Sequence, residues 1–516
     1  MKSELEKLVG GPVEAPKDLS HGDYMTSATL ASDNPRAEAE EIVAKLQSVK
    51  HPMLDKIEVA GPGFINFYLA PQVFADEIQK VISEKENYGK GENLKGQRVI
   101  IEYTDPNPFK EFHLGHLMSN TVGEAISRLI EFSGAEVRRA CYQGDVGLHV
   151  AKTLWAGGDY ALGSKKYDED ESAKTAIQEI NKKLYDRSDD KINQIYDEGK
   201  KLSLEKFEQI YRQLGTKFDF YFFESQTGEF GKQVVEENIG KVFEKSAGAI
   251  VFRGDEKAGL HTRVFINSEG LPTYEAKELG LAKIKYDKYP YDQSVVVTGN
   301  EINVYFRVLL EAMSLVFPEL AAKTKHVSHG MLRLPGGKMS SRTGNVITAE
   351  SLISEVAKSA RGQEAVAVAA IKYSILKQSP GKDIIFDLGK SLSVAGDSGP
   401  YLQYAYVRAK SVLAKAGSQG PTLGQILKVG PLDLPSQVER LLIHFPEITA
   451  RAAREFAPNY VITYLIELAS AFNAYYAKNK IIGGENESYQ LALTAAVAQV
   501  LQNGLWLLGI AAPEKM

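Results

Sequence analysis

The feature that most constrains the fold is a strand, loop, helix and strand pattern over residues 99–142. Residues 99–101 form a β-branched run typical of a buried strand, and they lead into a turn-forming segment at 104–108. Apolar residues then recur at helical spacing over 113–134, and residues 136–142 have an extended pattern again. This βαβ unit predicts an α/β fold, a Rossmann-like, doubly wound parallel-sheet domain that binds its ligands at the carboxyl ends of the strands.

The chain of 516 residues is long enough for several domains, and its pattern changes twice. Residues 1–92 have a mixed pattern that ends in a Gly-rich linker, which predicts an N-terminal α+β add-on domain. Residues 93–394 are predicted to form the α/β domain, with a helical insertion at about 156–245 that begins with many charged residues. Residues 395–516 predict a C-terminal all-α helical bundle. Its helices are expected over 399–415, 435–454, 458–479 and 487–508.

Composition excludes several classes of protein. The single cysteine, Cys141, can form neither an intramolecular disulfide nor a zinc cluster of cysteines, so we expect a reducing compartment and no zinc. The sequence has neither the long apolar run of a membrane helix nor an apolar signal segment at its start, so we expect a cytoplasmic protein without a membrane partner. The net charge of -5 does not by itself indicate a nucleic-acid partner, although a local basic face is compatible with it.

A group of polar residues lies where the loop after the first predicted strand meets the next helix. His113 and His116 are placed at a helix N-terminus, where backbone N–H groups favour anions and two imidazoles can donate to phosphate oxygens. Gly115 has no Cβ, which would let a flat base or ribose lie close to the backbone. Taken alone, the pattern also fits a chance surface pair or half of a metal site.

A second polar segment follows late in the same predicted domain. Lys338 supplies a positive charge, and Ser340 and Ser341 supply hydroxyl donors for phosphate oxygens. Such a segment is suited to binding a leaving pyrophosphate. Taken alone, such a segment is more often a solvated loop.

In type, order and separation, the two segments resemble the paired signatures of class I aminoacyl-tRNA synthetases. The matching runs are His113-Leu114-Gly115-His116 and Lys338-Met339-Ser340-Ser341-Arg342. Four further runs are similar to stretches of the arginyl-tRNA synthetases, namely 61–67, 105–108, 141–147 and 398–408. The resemblance spans nearly the whole chain and is least specific in the charged part of the insertion.

The resemblance implies an arginine–tRNA ligase. In such an enzyme the carboxylate of arginine attacks the α-phosphorus of ATP, pyrophosphate leaves, and the 2′-hydroxyl of the last adenosine of tRNA(Arg) takes arginine from the adenylate. It implies L-arginine, ATP and tRNA(Arg) as partners, Mg²⁺ that arrives with ATP, no metal fixed by the protein, and a monomer.

The resemblance also assigns residues to roles. The catalytic set is His113, His116, Lys338, Ser340 and Ser341. The ATP-binding set is Pro106, Asn107, His113, Gly115, His116, His329, Met331 and Lys338. The arginine-binding set is Glu102, Asn107, Tyr274 and Glu278. The tRNA-binding set is Phe64, Asn66, Tyr401, Gln403, Tyr406, Arg408, Tyr475 and Lys480.

Two positions depart from the arginyl pattern. Most members have Asp where this chain has Glu278, and many have Gln where this chain has Ile302. Three alternatives therefore stay open: a class I synthetase for another amino acid such as cysteine, a smaller nucleotidyltransferase, and a non-catalytic paralogue that binds tRNA. The lack of a cysteine cluster argues against the first, the chain length against the second, and the intact His113, His116 and Lys338 against the third.

Overall fold

The computed structural model describes residues 1–16, 18–49, 51–333, 347–417 and 435–516. The first part of the chain is a three-stranded antiparallel sheet in the order β1-β3-β2, with helices packed against it. Its elements are α1 (Lys2–Val9), β1 (Tyr24–Thr26), α2 (Pro35–Val49), β2 (Leu54–Ala60), β3 (Phe64–Leu69) and α3 (Pro71–Glu84). Ile65, Phe67 and Leu69, at every second position of β3, are buried and contribute to the apolar core of this unit.

The middle of the chain is built on a five-stranded, all-parallel sheet in the order β11-β10-β4-β5-β6. Its strands are β4 (Arg98–Glu102), β5 (Glu136–Gln143), β6 (Phe220–Phe223), β10 (Gln293–Gly299) and β11 (Thr324–His329). The chain runs from β4 outward to β5 and β6 and later returns to the other side of β4. The sheet therefore reverses its order between β4 and β10, which is where ligands of doubly wound folds bind.

Helices cover this sheet on both faces, as the Rossmann-like prediction required. They are α4 (Leu114–Phe132), α5 (Leu148–Trp155), α6 (Tyr160–Glu169), α7 (Glu171–Asp186), α8 (Asp190–Leu214), α9 (Glu224–Glu237), α10 (Tyr274–Lys288), α11 (Asn303–Val316), α12 (Pro318–Lys323), α13 (Ala349–Ser359), α14 (Glu364–Leu376) and α15 (Leu388–Ser391). Two small sheets accompany them: β7 (Glu244–Ser246), β8 (Ala249–Phe252) and β9 (Arg263–Ile266), and β12 (Leu332–Arg333) with β13 (Ile384–Ile385).

The insertion predicted over about 156–245 differs from the structure in its second half. It is helical from α6 to α8, where Asp159, Asp170 and Asp189 cap the three helices with their carboxylates. The aromatic run Phe220–Phe223 then pairs with β5 and forms the edge of the central sheet. These four residues are all aromatic, so the sequence shows no alternation of apolar and polar residues. The pattern therefore fits a buried helix segment as well as a strand.

The last part of the chain is the predicted helical bundle. Its helices are α16 (Gly399–Ala416), α17 (Gln437–Leu442), α18 (Phe445–Glu455), α19 (Asn459–Lys478) and α20 (Glu487–Leu507). The single helix expected over 435–454 is two helices, because Pro446 begins a new first turn after the break at His444. No helix within the described ranges is long and apolar enough to cross a membrane.

Two basic side chains join the C-terminal ends of α8 and α20 to the central domain. Arg128 of α4 donates to the carbonyls of Trp506 at 2.8 Å and Gly215 at 3.0 Å. Lys372 of α14 is buried and donates to one further carbonyl at each of the two helix ends, at 2.6 and 2.8 Å. Carbonyls in the last turn of a helix lack intrahelical partners and carry the negative end of its dipole, so the Arg128 guanidinium stabilises these ends. Burial and the nearby Arg128 lower the pKa of Lys372 to about 7, so Lys372 contributes mainly as a hydrogen-bond donor.

Replacing Lys372 by Met tests this contact. Lys372→Met leaves the carbonyls of Leu214 and Gly509 without their buried donor, so we expect a loss of about 1–3 kcal/mol in the free energy of unfolding, measured by urea denaturation. Lys377→Met is the matched control, because the Lys377 ammonium meets Asp397 at the surface and such pairs contribute about 1 kcal/mol at most. Equal losses in the two variants would contradict the role given to Lys372.

Candidate active site

The N-terminus of α4 is formed by two histidines that cap it reciprocally. Nδ1 of His113 accepts the N–H of Gly115 at 3.1 Å, and Nδ1 of His116 accepts the N–H of His113 at 3.3 Å. The two rings stack with their centroids 3.6 Å apart. The sequence thus starts the helix with imidazoles where a Ser or Asp usually stands, and both rings lie at its positive end.

These contacts fix the protonation of both rings. Each Nδ1 accepts a hydrogen bond, so we assign the ring proton to Nε2 in both histidines. Burial lowers the pKa of His113, and the nearby Lys110 lowers it further. Burial lowers the pKa of His116 well below its usual range, with His113 and Lys110 adding to the effect. Near neutral pH the motif therefore presents two neutral Nε2–H donors.

A contact within the helix cap explains why residue 115 is a glycine, whereas the sequence suggested contact with a base or ribose. A Cβ at this position would lie 2.9 Å from Cε1 of His113. The absence of a side chain therefore lets the His113 ring fold back over the first turn of α4. This is a requirement of the cap itself, independent of any ligand.

The loop between β4 and α4 begins with two strained residues that are fastened to neighbouring strands. Thr104 and Asp105 have φ angles of 83° and 47°, values that L-residues rarely adopt. The Ser119 hydroxyl accepts the N–H of Thr104 at 2.8 Å and donates to the carbonyl of Val297 at 2.9 Å. One side chain of α4 thus ties the ends of β4 and β10 together at the point where the sheet order reverses.

The middle of this loop is attached to the end of β5 and to α8. Asn107 accepts the N–H of Gly144 through Oδ1 at 3.2 Å, which leaves its NH₂ group as a donor. The Phe109 ring stacks on the Tyr196 ring. The backbone N–H of Phe109 donates to the Ser203 hydroxyl at 3.0 Å. The insertion helix α8 therefore supports the loop directly.

Glu102, one of the predicted arginine ligands, is the last residue of β4 and is buried. Its carboxylate accepts a hydrogen bond from the ammonium of Lys285, a buried residue in the last turn of α10, at 2.6 Å. Burial acts to lower the pKa of Lys285, yet the Glu102 carboxylate raises it above its usual value. The contact therefore keeps the Lys285 ammonium protonated in its buried position.

Glu278 and Asp105 add two carboxylates to the same region, and neither forms an ion pair within the described residues. Burial and the charge of Glu102 raise the pKa of Glu278 to about 8. Burial and the charge of Glu102 also raise the pKa of Asp105 well above its usual range, although Asp105 accepts the N–H of Tyr142 at 2.7 Å. Among the described residues, Lys285 thus pairs with only one of the three carboxylates. The region therefore has more acidic than basic groups.

Tyr274 lies one helical turn before Glu278 on α10, as its spacing predicted. Its side chain is 58% exposed, and its ring lies 5.4 Å from the ammonium of Lys277. Lys277 forms a buried ion pair with Glu224 at 2.6 Å. This pair, which the sequence did not reveal, joins the first turns of α9 and α10 beside the acidic region.

Lys338, Ser340 and Ser341 lie outside the described residues, but the segments on both sides of them are described. On one side, β12 pairs in parallel with β13. On the other side, Thr348 pairs with His113, and the N–H of Ala349 donates to the carbonyl of Phe112 at 2.8 Å. The chain therefore leaves this segment directly at the histidine cap.

The other predicted ATP-binding residues lie near the ends of β4 and β11. Pro106 is buried in the β4–α4 loop. His329 ends β11, and its Nδ1 lies 2.7 Å from the carbonyl of Gly330. Met331 is 43% exposed, and its N–H donates to Asp383 at 2.9 Å.

Three of the six predicted tRNA-binding residues of the bundle face inward. Tyr401 and Tyr406 are buried, and Gln403 donates to the carbonyls of Ala365 and Ala511. Their helical periodicity reflects core packing. Tyr475 is half-buried and Lys480 is exposed, while in the N-terminal unit Phe64 is half-buried and Asn66 is buried in β3.

Arg408 occupies a different position, between two exposed tyrosines. Its guanidinium lies 4.6 Å from the ring centroid of Tyr404 on the same helix and 5.3 Å from that of Tyr476 on α19. It also donates to Asn473 at 2.7 Å, which fixes its direction. Sequence reasoning missed Tyr404, although it stands beside Gln403, which was chosen.

Comparison with known proteins covers the whole chain. The model for the catalytic domain of class I (R) tRNA synthetases matches residues 77–152 and 158–388. The model for the arginyl tRNA synthetase N terminal domain matches residues 2–69, and that for the DALR anticodon binding domain matches residues 402–516.

Individual relatives agree with the family models. The arginine–tRNA ligase of Treponema denticola is 32% identical over 98% of this chain and 94% of that protein, and that of Clostridium acetobutylicum is 30% identical over 98% and 96%. The arginyl-tRNA synthetase structure from Thermus thermophilus has a TM-score of 0.74 at 26% identity, with all of both chains covered. The Plasmodium falciparum arginyl-tRNA synthetase shares the fold with a TM-score of 0.77 at 21% identity, over 100% of this chain and 97% of that one. The chain therefore belongs to the arginyl-tRNA synthetase family, the ATP-dependent ligases that attach arginine to tRNA.

Proposed function

We propose that arginine binds at the carboxyl ends of β4 and β10 with its guanidinium against Glu278, and that ATP binds at the N-terminus of α4. One observation carries the proposal: Glu102, Asp105 and Glu278 converge on one region whose buried lysine, Lys285, is already paired with Glu102. A guanidinium supplies the missing charge, and its planar fork of donors matches a carboxylate through two parallel hydrogen bonds.

Glu102 and Glu278 then have different tasks. Lys285 donates to Glu102 at 2.6 Å and so fixes the position of its carboxylate. Glu278 has no ion-pair partner among the described residues, so it gains most from an incoming cation. The side chain of Glu278 is longer than the Asp usual in the family, and it reaches the guanidinium from one turn inside α10. Asn107 offers its NH₂ group, and Tyr274 closes the pocket at its exposed edge.

ATP binding relies on neutral donors at a helix N-terminus. The Nε2–H groups of His113 and His116 point away from their own backbone contacts and donate to phosphate oxygens, in the field of the α4 dipole. Because both rings are already fixed by the cap, no reorganisation is needed as charge builds on the phosphates. The other members of the proposed ATP site are Pro106, Asn107, Gly115, His329, Met331 and Lys338.

Pyrophosphate release is assigned to the segment that carries Lys338, Ser340 and Ser341. Its support is the short connection from that segment to His113 through Thr348. We propose that Mg²⁺ arrives with ATP as part of the substrate. No group of three or more His, Cys, Asp or Glu side chains within the described residues is arranged to bind a metal ion.

The reaction then proceeds in two steps by positioning. The arginine carboxylate attacks the α-phosphorus of ATP, and pyrophosphate carries the leaving electron pair. The 2′-hydroxyl of the last adenosine of tRNA(Arg) next attacks the adenylate and releases AMP. Both steps gain from bound, oriented reactants and from charge stabilisation by fixed donors. We propose a monomer that works in the cytoplasm.

For tRNA we propose that the bundle reads the anticodon loop and that the N-terminal unit, through Phe64, contacts the elbow. The support within the bundle is the exposed stack of Tyr404, Arg408 and Tyr476. Unpaired bases stack on such aromatic and guanidinium planes.

The acidic pocket predicts how arginine binding depends on pH. Arginine stays protonated, whereas Glu278 must ionise to receive it, so the affinity rises as pH increases through 8. We expect the dissociation constant of arginine, measured by calorimetry, to fall about eightfold between pH 7 and pH 8.5, the factor for one carboxyl with a pKa near 8. Glu278→Gln should bind arginine weakly and lose this pH dependence. Glu236→Gln, an exposed acid on α9, is the control, and a pH profile unchanged by Glu278→Gln would contradict the pocket.

The aromatic stack predicts a selective effect on tRNA. Tyr476→Ala removes one stacking surface, so we expect the KM for tRNA to rise about tenfold or more in aminoacylation assays, with the KM values for arginine and ATP unchanged. Tyr460→Ala is the matched control, because Tyr460 stacks on Arg451 at 4.0 Å at the opposite end of the same helix. A similar rise in both variants would mean that the stack has no special role.

A further inference from the structure

Tyr305 has a buried hydroxyl without a hydrogen-bond partner in the described part of the chain. It lies in the first turn of α11, which follows the end of β10 at the edge of the sheet where the pocket lies. A buried hydroxyl that lacks a partner is destabilising, and native proteins seldom keep one without a reason. The Tyr305 hydroxyl therefore has hydrogen-bonding capacity that a bound group can use.

The surroundings of Tyr305 are those of the acidic pocket. Its ring lies 5.6 Å from the guanidinium of Arg263, and Arg263 lies 3.6 Å from the carboxylate of Glu275 on α10. Burial raises the pKa of Tyr305 well above its usual range, and Glu278 and Glu275 raise it further. The phenol is therefore neutral, near Glu278, and free both to donate and to accept.

The residue before α11 also bears on the role of Tyr305. Ile302 packs its apolar side chain against the core beside α11. Ile302 therefore offers no polar atom to the substrate. Tyr305 follows three residues later, on the adjacent turn, and presents a hydroxyl.

We infer that Tyr305 is a specificity-determining residue, whose hydroxyl oxygen accepts a hydrogen bond from the guanidinium of the bound arginine beside Glu278. This inference rests on the proposed arginine pocket and adds a ligand to it. The guanidinium offers five N–H donors, more than one carboxylate can accept, so a neutral acceptor alongside Glu278 completes its recognition. Lysine has no planar fork and cannot meet both groups in this way.

The test is Tyr305→Phe, which removes one oxygen and keeps the ring. We expect the dissociation constant of arginine to rise about tenfold or more, and the KM for ATP to stay unchanged. Agmatine, which has the guanidinium of arginine but no carboxylate, should lose affinity by the same factor. An unchanged affinity for arginine would overturn the inference, as would a loss for arginine with none for agmatine.

The thermal stability of Tyr305→Phe distinguishes a role in arginine binding from a purely structural role. Tyr305→Phe should leave the Tm of the ligand-free protein unchanged or raise it, because the removed hydroxyl has no partner there, while the rise in Tm on adding arginine becomes smaller. A lowered Tm with an unchanged arginine-induced rise would assign Tyr305 to structure alone and overturn the inference. Tyr289→Phe is the matched control, because the Tyr289 hydroxyl at the end of α10 donates to the carbonyl of Glu136, so arginine affinity should not change.

Glu278→Gln distinguishes failure of the inference from failure of the pocket. If Glu278→Gln weakens arginine binding and Tyr305→Phe does not, only the inference about Tyr305 is wrong. If neither variant weakens binding, the proposed position of the arginine pocket is wrong as well.

Discussion

The active site depends on an imbalance of charge at the end of β4. Glu102, Asp105 and Glu278 lie in a region of low dielectric, and only Glu102 has a lysine within hydrogen-bond distance among the described residues. Like charges that are buried together resist ionisation, and this raises the pKa of both Asp105 and Glu278. A substrate guanidinium supplies positive charge. The proposed pocket thus selects charge through desolvation and shape through the planar fork.

The geometry of this region is fixed by α4, which runs through the middle of the molecule. Its first turn carries the histidine cap, and Ser119 joins the ends of β4 and β10. Further along, Glu124 accepts the hydroxyl of Tyr103, the neighbour of Glu102, and pairs with Arg128 at 2.7 Å. Arg128 in turn donates to the end of α20. Hydrogen bonds therefore connect Tyr103, the residue after Glu102, through Glu124 and Arg128 to the last helix of the bundle.

Much of this was predictable where local pattern and tertiary structure agree. The βαβ unit, the helix starting at the histidines and the helical C-terminal part follow from periodicity, capping and turn residues. The strand Phe220–Phe223 was missed because a short aromatic run has no distinctive period. Lys285 and Tyr305 could not be found from sequence, since their roles depend on contacts between distant elements. Gln403 and Tyr406 were assigned to tRNA because a helical aromatic pattern does not reveal which face is buried.

Charge selection is most directly tested by amino-acid-dependent exchange of labelled pyrophosphate into ATP. The exchange is measured with tRNA present for arginine, lysine, cysteine and glutamine. The acidic pocket predicts exchange with arginine alone, because lysine brings charge without the planar fork and the other two bring no charge. Comparable exchange with lysine would mean that charge alone is read. Exchange with cysteine or glutamine, or none with arginine, would contradict the account.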